Sequence, residues 1–202
     1  MAAISEDTKR EIAMGIYENG LLNFGEFTFK SGIQSPMYMN LRNLGSFPAF
    51  LKKVGLVFSE IMSDLEYDLV AGIPYGAIPV MMAVSLESET PVIFPRKESK
   101  EYGMAKDIIG EFSAGQKVVI VDDLVTNGDS KIESMVPFDE AGLIVKDFVV
   151  LLDYKKGADQ LLESNGYRLH SAMSVIEAVT FVHEAGKIDD EMYKKVDSFL
   201  NT

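Results

Sequence analysis

Short apolar runs along this chain alternate with longer segments in which apolar residues recur every three or four positions. Val118 to Val121 is an unbroken run of four β-branched residues, 68–73, 91–94 and 146–152 carry further short apolar runs, and 168–175 reads as a last strand. Runs this short and this apolar predict strands buried on both faces of a parallel sheet. Between them lie helical patterns. Glu6 to Asn19 puts Ile12, Ile16 and Tyr17 on one face and stops at Asn19-Gly20. Ser46 to Ser63 carries a stripe of Phe50, Val54, Val57, Phe58 and Ile61, with Ser46 placed to cap and Pro48 in the first turn. Further helices are predicted over 78–85, 158–164, 176–185 and 189–200. A helix over 131–141 contains Pro137, whose interior placement would cost about 3 kcal/mol, so a kink or an early end is expected there. Strands alternating with helices predict an α/β fold. Ahead of that region, 24–32 alternates in the manner of a strand and 37–41 reads as a second strand. Residues 20–45 are thus expected to form a small hood on one domain spanning 1–202.

The buried run from Val118 is expected to stop at two adjacent carboxylates, Asp122 and Asp123, before a loop of small residues from Thr126 to Ser130. Ligands of open α/β sheets bind just past the carboxyl ends of the strands. Such a loop can aim backbone N–H groups, the hydroxyls of Thr126 and Ser130, and the positive end of a following helix at one point, which suits a phosphate. Carboxylates accept well from vicinal hydroxyls, so the pair followed by the loop suits a ribose 5-phosphate. The plainer alternative is a strand end followed by an ordinary turn. The Gly72–Ala77 turn, rich in Gly and Pro, falls at the same sheet edge.

Charge sharpens one further segment. The net charge of −12 argues against nucleic-acid or anionic-membrane partners. In so acidic a chain, Arg96, Lys97 and Lys100 within five residues stand out. They lie on a stretch with few apolar anchors, suited to closing over a polyanion; the alternative is a solvated linker whose lysines offset Glu98 and Glu101. The absence of cysteine excludes disulfides and thiolate chemistry and fits a cytoplasmic protein. No run is long enough to span a bilayer, and the first residues carry no signal-peptide core. His170 and His183 lack partners at metal-binding spacing and read as structural.

Lys117–Ser130 resembles the PRPP-binding signature of the type I phosphoribosyltransferases. Together with Phe24-Gly-Glu-Phe-Thr-Phe-Lys-Ser-Gly32, Ser35-Pro-Met-Tyr-Met-Asn-Leu-Arg42 and Arg96-Lys-Glu-Ser-Lys-Glu-Tyr-Gly103, it makes the chain similar to orotate phosphoribosyltransferases over nearly its full length. The resemblance implies a central, mostly parallel sheet flanked by helices, with an N-terminal hood. It implies transfer of the phosphoribosyl group from PRPP to orotate in pyrimidine biosynthesis, with Mg2+ carried by PRPP and no direct protein ligand. It further implies a homodimer in which the basic loop reaches the neighbouring subunit's site. Carried onto this chain, PRPP contacts fall on Lys30, Tyr75, Arg96, Lys97, Lys100 and Tyr102, on Asp122 and Asp123, and on the loop Leu124, Val125, Thr126, Asn127, Gly128, Asp129 and Ser130. Lys100, Asp122 and Asp123 take the catalytic roles. Tyr38 and Thr126 lie by the base, and the Pro74–Tyr75 peptide is expected to be cis. Three positions depart from the family pattern: Gly76 replaces Lys or Thr, Asp129 sits in the phosphate loop, and Tyr154 stands where an Arg contacts the orotate carboxylate. Lys155 or Lys156 could supply that charge from a shifted position. A different acceptor base, or a PRPP-sensing regulator without catalysis, are the competing readings. No decarboxylase domain is expected within this chain.

Overall fold

The computed structural model of the protein describes residues 4–29, 32–96 and 107–201. Its apolar runs become six strands in one sheet: β3 (Leu69–Gly72), β4 (Val92–Pro95), β5 (Ile108–Ile109), β6 (Lys117–Val125), β7 (Ile144–Asp153) and β8 (Arg168–Ser174). Their order is β5-β4-β3-β6-β7-β8, parallel throughout except for β5, which runs antiparallel to β4. A two-residue strand leaves no periodic signal, so β5 was not legible in the sequence. Alternation along β6 divides the core. Val119 and Val121 pack with α1 (Glu6–Glu18), α2 (Pro48–Met62), α3 (Ala77–Ser88) and α7 (Val175–Glu184). Val118 and Ile120 pack on the opposite face with Met135, Phe138 and Leu162. Helix α8 (Asp190–Leu200) completes the first layer through Val196 and Leu200.

The expected hood is a two-stranded antiparallel sheet, β1 (Leu22–Thr28) with β2 (Gln34–Met39). Leu21, Leu22 and Met37 from this hairpin are buried in the same core as α1 and α2, which ties the hood to the main sheet. After β2 the chain tightens into a 3-10 turn, Leu41–Ser46. That turn displaces the expected cap: Ser46 is its last residue, Phe47 precedes α2 without a side-chain cap, and Pro48 keeps its first-turn place. Pro137 also acts as physics requires. The 131–141 segment splits into α4 (Asp129–Glu133) and α5 (Val136–Glu140), and Pro137 sits in the first turn of α5, where a missing N–H leaves no hydrogen bond unmade. The remaining short helix is α6 (Ala158–Ser164).

Both histidines have carboxylate partners: His170 Nε2 lies 2.7 Å from buried Asp147, and His183 Nε2 lies 2.8 Å from Asp190. Among the described residues, no helix is long and apolar enough to cross a membrane.

Candidate active site

A cleft of about 440 Å3 opens at the carboxyl edge of the sheet. One wall comes from β2 and the turn after it, Tyr38 to Arg42; another from the β3–α3 turn, Ile73 to Gly76. The floor is Asp122 to Thr126 with Ser130 and Lys131, and Tyr154 closes the β7 end. The Pro74–Tyr75 peptide is cis, as the resemblance implies.

The central strand does not end at the aspartates. Pairing with β7 continues through Val125, opposite Asp153, so Asp122, Asp123, Leu124 and Val125 all belong to β6 rather than to a loop. Successive strand residues point to opposite faces, and the two carboxylates consequently diverge. Asp122 is buried against Lys131, whose ammonium it binds through Oδ2 while Oδ1 accepts from the Asp123 N–H. Asp123 faces the β3–α3 turn, and its Oδ1 accepts from the Leu124 N–H at 2.8 Å. Burial, and then the negative charge of Asp122, push the Asp123 carboxyl up to about 7. Burial and the nearby Asp123 charge likewise raise the Tyr154 phenol.

Gly76, a departure from the family pattern, has a local reason. A Cβ at this position would lie 2.9 Å from Asp123 Oδ2, so the missing side chain makes room for the carboxylate. Asp129 resolves as well. It starts α4 without capping it, its Oδ2 accepts from the Asn127 amide, and neither residue borders the cleft. Gly128 precedes it in the left-handed region at φ 92°, a backbone conformation that disfavours any Cβ. From the expected phosphate loop, Thr126 and Ser130 therefore face the cleft, while Asn127, Gly128 and Asp129 shape the turn behind it. With only five residues, α4 adds less dipole than the sequence suggested, leaving more of any anion binding to N–H groups and hydroxyls.

Of the other expected site residues, Tyr38, Tyr75 and Tyr154 border the cleft. Arg96 does not: it is exposed beyond β4, with its N–H bonded to the Asp107 carbonyl at 2.7 Å. Lys30, Lys97, Lys100 and Tyr102 lie outside the described residues. Lys155 cannot substitute for a base-binding cation from where it sits, because its ammonium pairs with buried Asp153 at 2.8 Å; Lys156 is exposed and away from the cleft. Two cations that sequence reasoning passed over do border it, Lys131 and Arg42. Lys131 directly follows the phosphate loop and Arg42 closes the hood motif, so proximity to those motifs was the signal available.

No protein-family model matches the chain. It is 36% identical over 169 residues to the orotate phosphoribosyltransferase of Pyrococcus abyssi, an alignment covering 83% of this chain and 93% of that one. The chain belongs to the orotate phosphoribosyltransferase family. It is also 35% identical over 190 residues to the bifunctional enzyme PyrF/PyrE of Nostoc sp., covering 94% of this chain but only 40% of that protein. The structure of Leishmania donovani UMP synthase superposes with a TM-score of 0.87 at 34% identity, covering 96% of this chain and 42% of that one. This chain thus spans about 40% of the length of these longer relatives. Its architecture, a mostly parallel sheet between helices, is that of the type I phosphoribosyltransferases.

Proposed function

We propose that the chain transfers the phosphoribosyl group from PRPP to orotate, giving orotidine 5′-monophosphate and pyrophosphate in pyrimidine biosynthesis. One observation carries this reading. A single cleft gathers two buried carboxylates, the hydroxyls of Thr126 and Ser130, and the rings of Tyr38 and Tyr154, in a chain of this family. In this reading Thr126 and Ser130, with the N–H groups of their loop, hold the 5′-phosphate and fix the sugar. Asp123 and Asp122 accept from the ribose hydroxyls, with the Lys131 ammonium bound to Asp122 beside them. At the anomeric carbon the bond to pyrophosphate breaks with its electron pair, a ring nitrogen of orotate forms the new bond, and the proton of that N–H passes to the departing pyrophosphate. The carboxylates favour the positive charge that grows on the sugar. The ring of Tyr38 lies against the base, and Thr126 touches it.

The leaving pyrophosphate needs positive charge. Lys30, Lys97 and Lys100 supply it, with Arg96 at the start of the basic segment and Tyr75 and the Gly72–Ala77 turn beside it; Tyr102 closes over the site. Mg2+ carried on PRPP would offset charge on the leaving pyrophosphate, with no side chain of this chain needed to hold it. Residues 1–202 serve as one phosphoribosyltransferase unit with 20–45 as its hood, working as a cytoplasmic homodimer whose basic loops act across the interface. Met82 and Leu86 on α3, with Leu56 on α2, are exposed apolar side chains that such an interface could cover.

Tyr154 at the base end favours the rival reading, a different acceptor base. Assay of pyrophosphate release from Mg–PRPP with orotate, uracil, adenine or hypoxanthine separates the two, beside Lys100→Ala as control. Release with orotate that is lost in Lys100→Ala supports the proposal. Release with another base alone assigns the enzyme elsewhere, and PRPP binding without release under any base makes the chain a sensor.

A further inference from the structure

Lys131 is a buried lysine at the edge of the cleft. Its side chain is 9% exposed, and that of Asp122, which its ammonium binds, is 8% exposed. Taking an ammonium and a carboxylate out of water is costly, and apolar side chains of similar size often serve stability as well. Stability alone therefore does not account for a lysine in this place.

Its position in the chain supplies the rest. Lys131 lies in α4, directly after the Thr126–Ser130 loop, and Asp122 lies on β6 ahead of that loop, nine residues earlier. The Lys131 N–H bonds the Gly128 carbonyl at 2.9 Å and closes the end of the loop, while the side chain turns back to the strand. One ion pair thus fastens the start of the segment 122–131 to its end. On Asp122 the effect is geometric. Oδ1 accepts from the Asp123 N–H at 2.8 Å and Oδ2 from Lys131, so both oxygens are held and the carboxylate cannot swing. Each oxygen keeps a second lone pair for a further donor.

We infer that Lys131 is a positioning residue for the phosphoribosyl donor. It works through Asp122, setting the direction of that carboxylate toward the ribose hydroxyls and its spacing from the loop that takes the 5′-phosphate. The inference rests on the proposed use of PRPP and adds the residue that fixes the sugar end of the site relative to the phosphate end. Lys131 also acts on Asp123 through charge. Burial first, and then the negative charge of Asp122, raise the Asp123 carboxyl, and the positive charge of Lys131 opposes them more weakly. The other ionisable groups bordering the cleft among the described residues are Arg42, Tyr38, Tyr75 and Tyr154. Removing the ammonium moves Asp123 further up; removing the Asp122 charge as well moves it down.

The test is calorimetric binding of Mg–PRPP over a pH series, beside steady-state kinetics with orotate, for Lys131→Arg, Lys131→Met, Asp122→Asn and Lys131→Met/Asp122→Asn. At the high-pH plateau, where Asp123 is ionised, Lys131→Met should bind PRPP about tenfold more weakly, the loss of a well-placed hydrogen-bond acceptor. Lys131→Arg, which keeps the charge, should retain most of the affinity. The cycle decides the route: adding Lys131→Met to Asp122→Asn should cost no further plateau affinity. The midpoint of the pH profile should lie above that of the unaltered protein in Lys131→Met and below it in the double variant, shifts that a purely structural role would not produce. A Lys131→Met protein with native affinity at every pH overturns the inference. So does an equal loss with and without the Asp122 carboxylate, which gives Lys131 to the ligand directly. Should Lys131→Met fail to fold, Asp122→Asn against the double variant decides alone, and a further loss of about tenfold between them overturns it. PRPP binding by the unaltered protein without turnover of orotate overturns the parent reading and leaves these affinities to test Lys131; no PRPP binding overturns both.

Discussion

Asp122 and Asp123 are adjacent in sequence, yet one is tied to Lys131 while the other faces the cleft beside Gly76 with its carboxyl raised to about 7. That difference has a measurable sign. The carboxyl of Asp123 titrates higher in the folded chain than the ordinary 3.8 of an unfolded one, so burial favours its protonated form. Its contribution to stability is fully present below about pH 4 and is lost as the pH rises through about 7. Asp123→Asn should therefore stabilise the unliganded protein by about 2 kcal/mol near pH 8 and hardly at all near pH 4, as read by urea melts. In the proposed reaction the dependence runs the other way, because ribose hydroxyls need the ionised acceptor. The kcat/KM for PRPP should rise about tenfold between pH 6 and pH 8, and Asp123→Asn should lower it and remove that dependence. Lys131 offers a second test. Lys131→Met leaves Asp122 buried without its partner and should cost about 3–5 kcal/mol; adding Asp122→Asn should return most of that loss. The aspartate pair itself was legible in the sequence. Their divergence was not, since it depends on β6 running on to Val125, and only pairing with β7 decides that.

At the scale of elements, the periodic segments were readable because their apolar faces are wide: α1, α2 and the strands β3, β6, β7 and β8 fall where the pattern puts them, within a few residues. The unread pieces are short and held by tertiary contact. The Leu41–Ser46 turn exists because Leu41 and Leu44 find buried sites, and it carries Arg42 to the cleft. Pro137 shows what local chemistry can and cannot specify. A break was required, but its position depended on Met135 and Phe138 reaching the core on the outer face of the sheet. Since Pro137 occupies a first turn, Pro137→Ala should change stability by less than about 1 kcal/mol in thermal melts, not by the roughly 3 kcal/mol of an interior site.

Across the whole molecule, the candidate site lies where four separate segments meet at one sheet edge, and no single segment of sequence contains the cleft. The Thr126–Ser130 loop was legible from its small residues after a buried strand; the Tyr38–Arg42 wall was not, because it reaches the cleft only through the docking of the hood. If the basic loop acts across a dimer, two inactive variants should complement each other. Mixing Lys100→Ala with Asp123→Asn subunits should regain orotate turnover, since one site in each mixed dimer keeps both an intact loop and an intact carboxylate. A mixture no more active than its parts would confine each loop to its own subunit. The central claim has a still more direct test, the absorbance of orotate followed after PRPP and Mg2+ are added to the purified protein at about pH 8. The account predicts a PRPP-dependent fall, matched mole for mole by pyrophosphate. PRPP bound by the protein with orotate left unconsumed would contradict it.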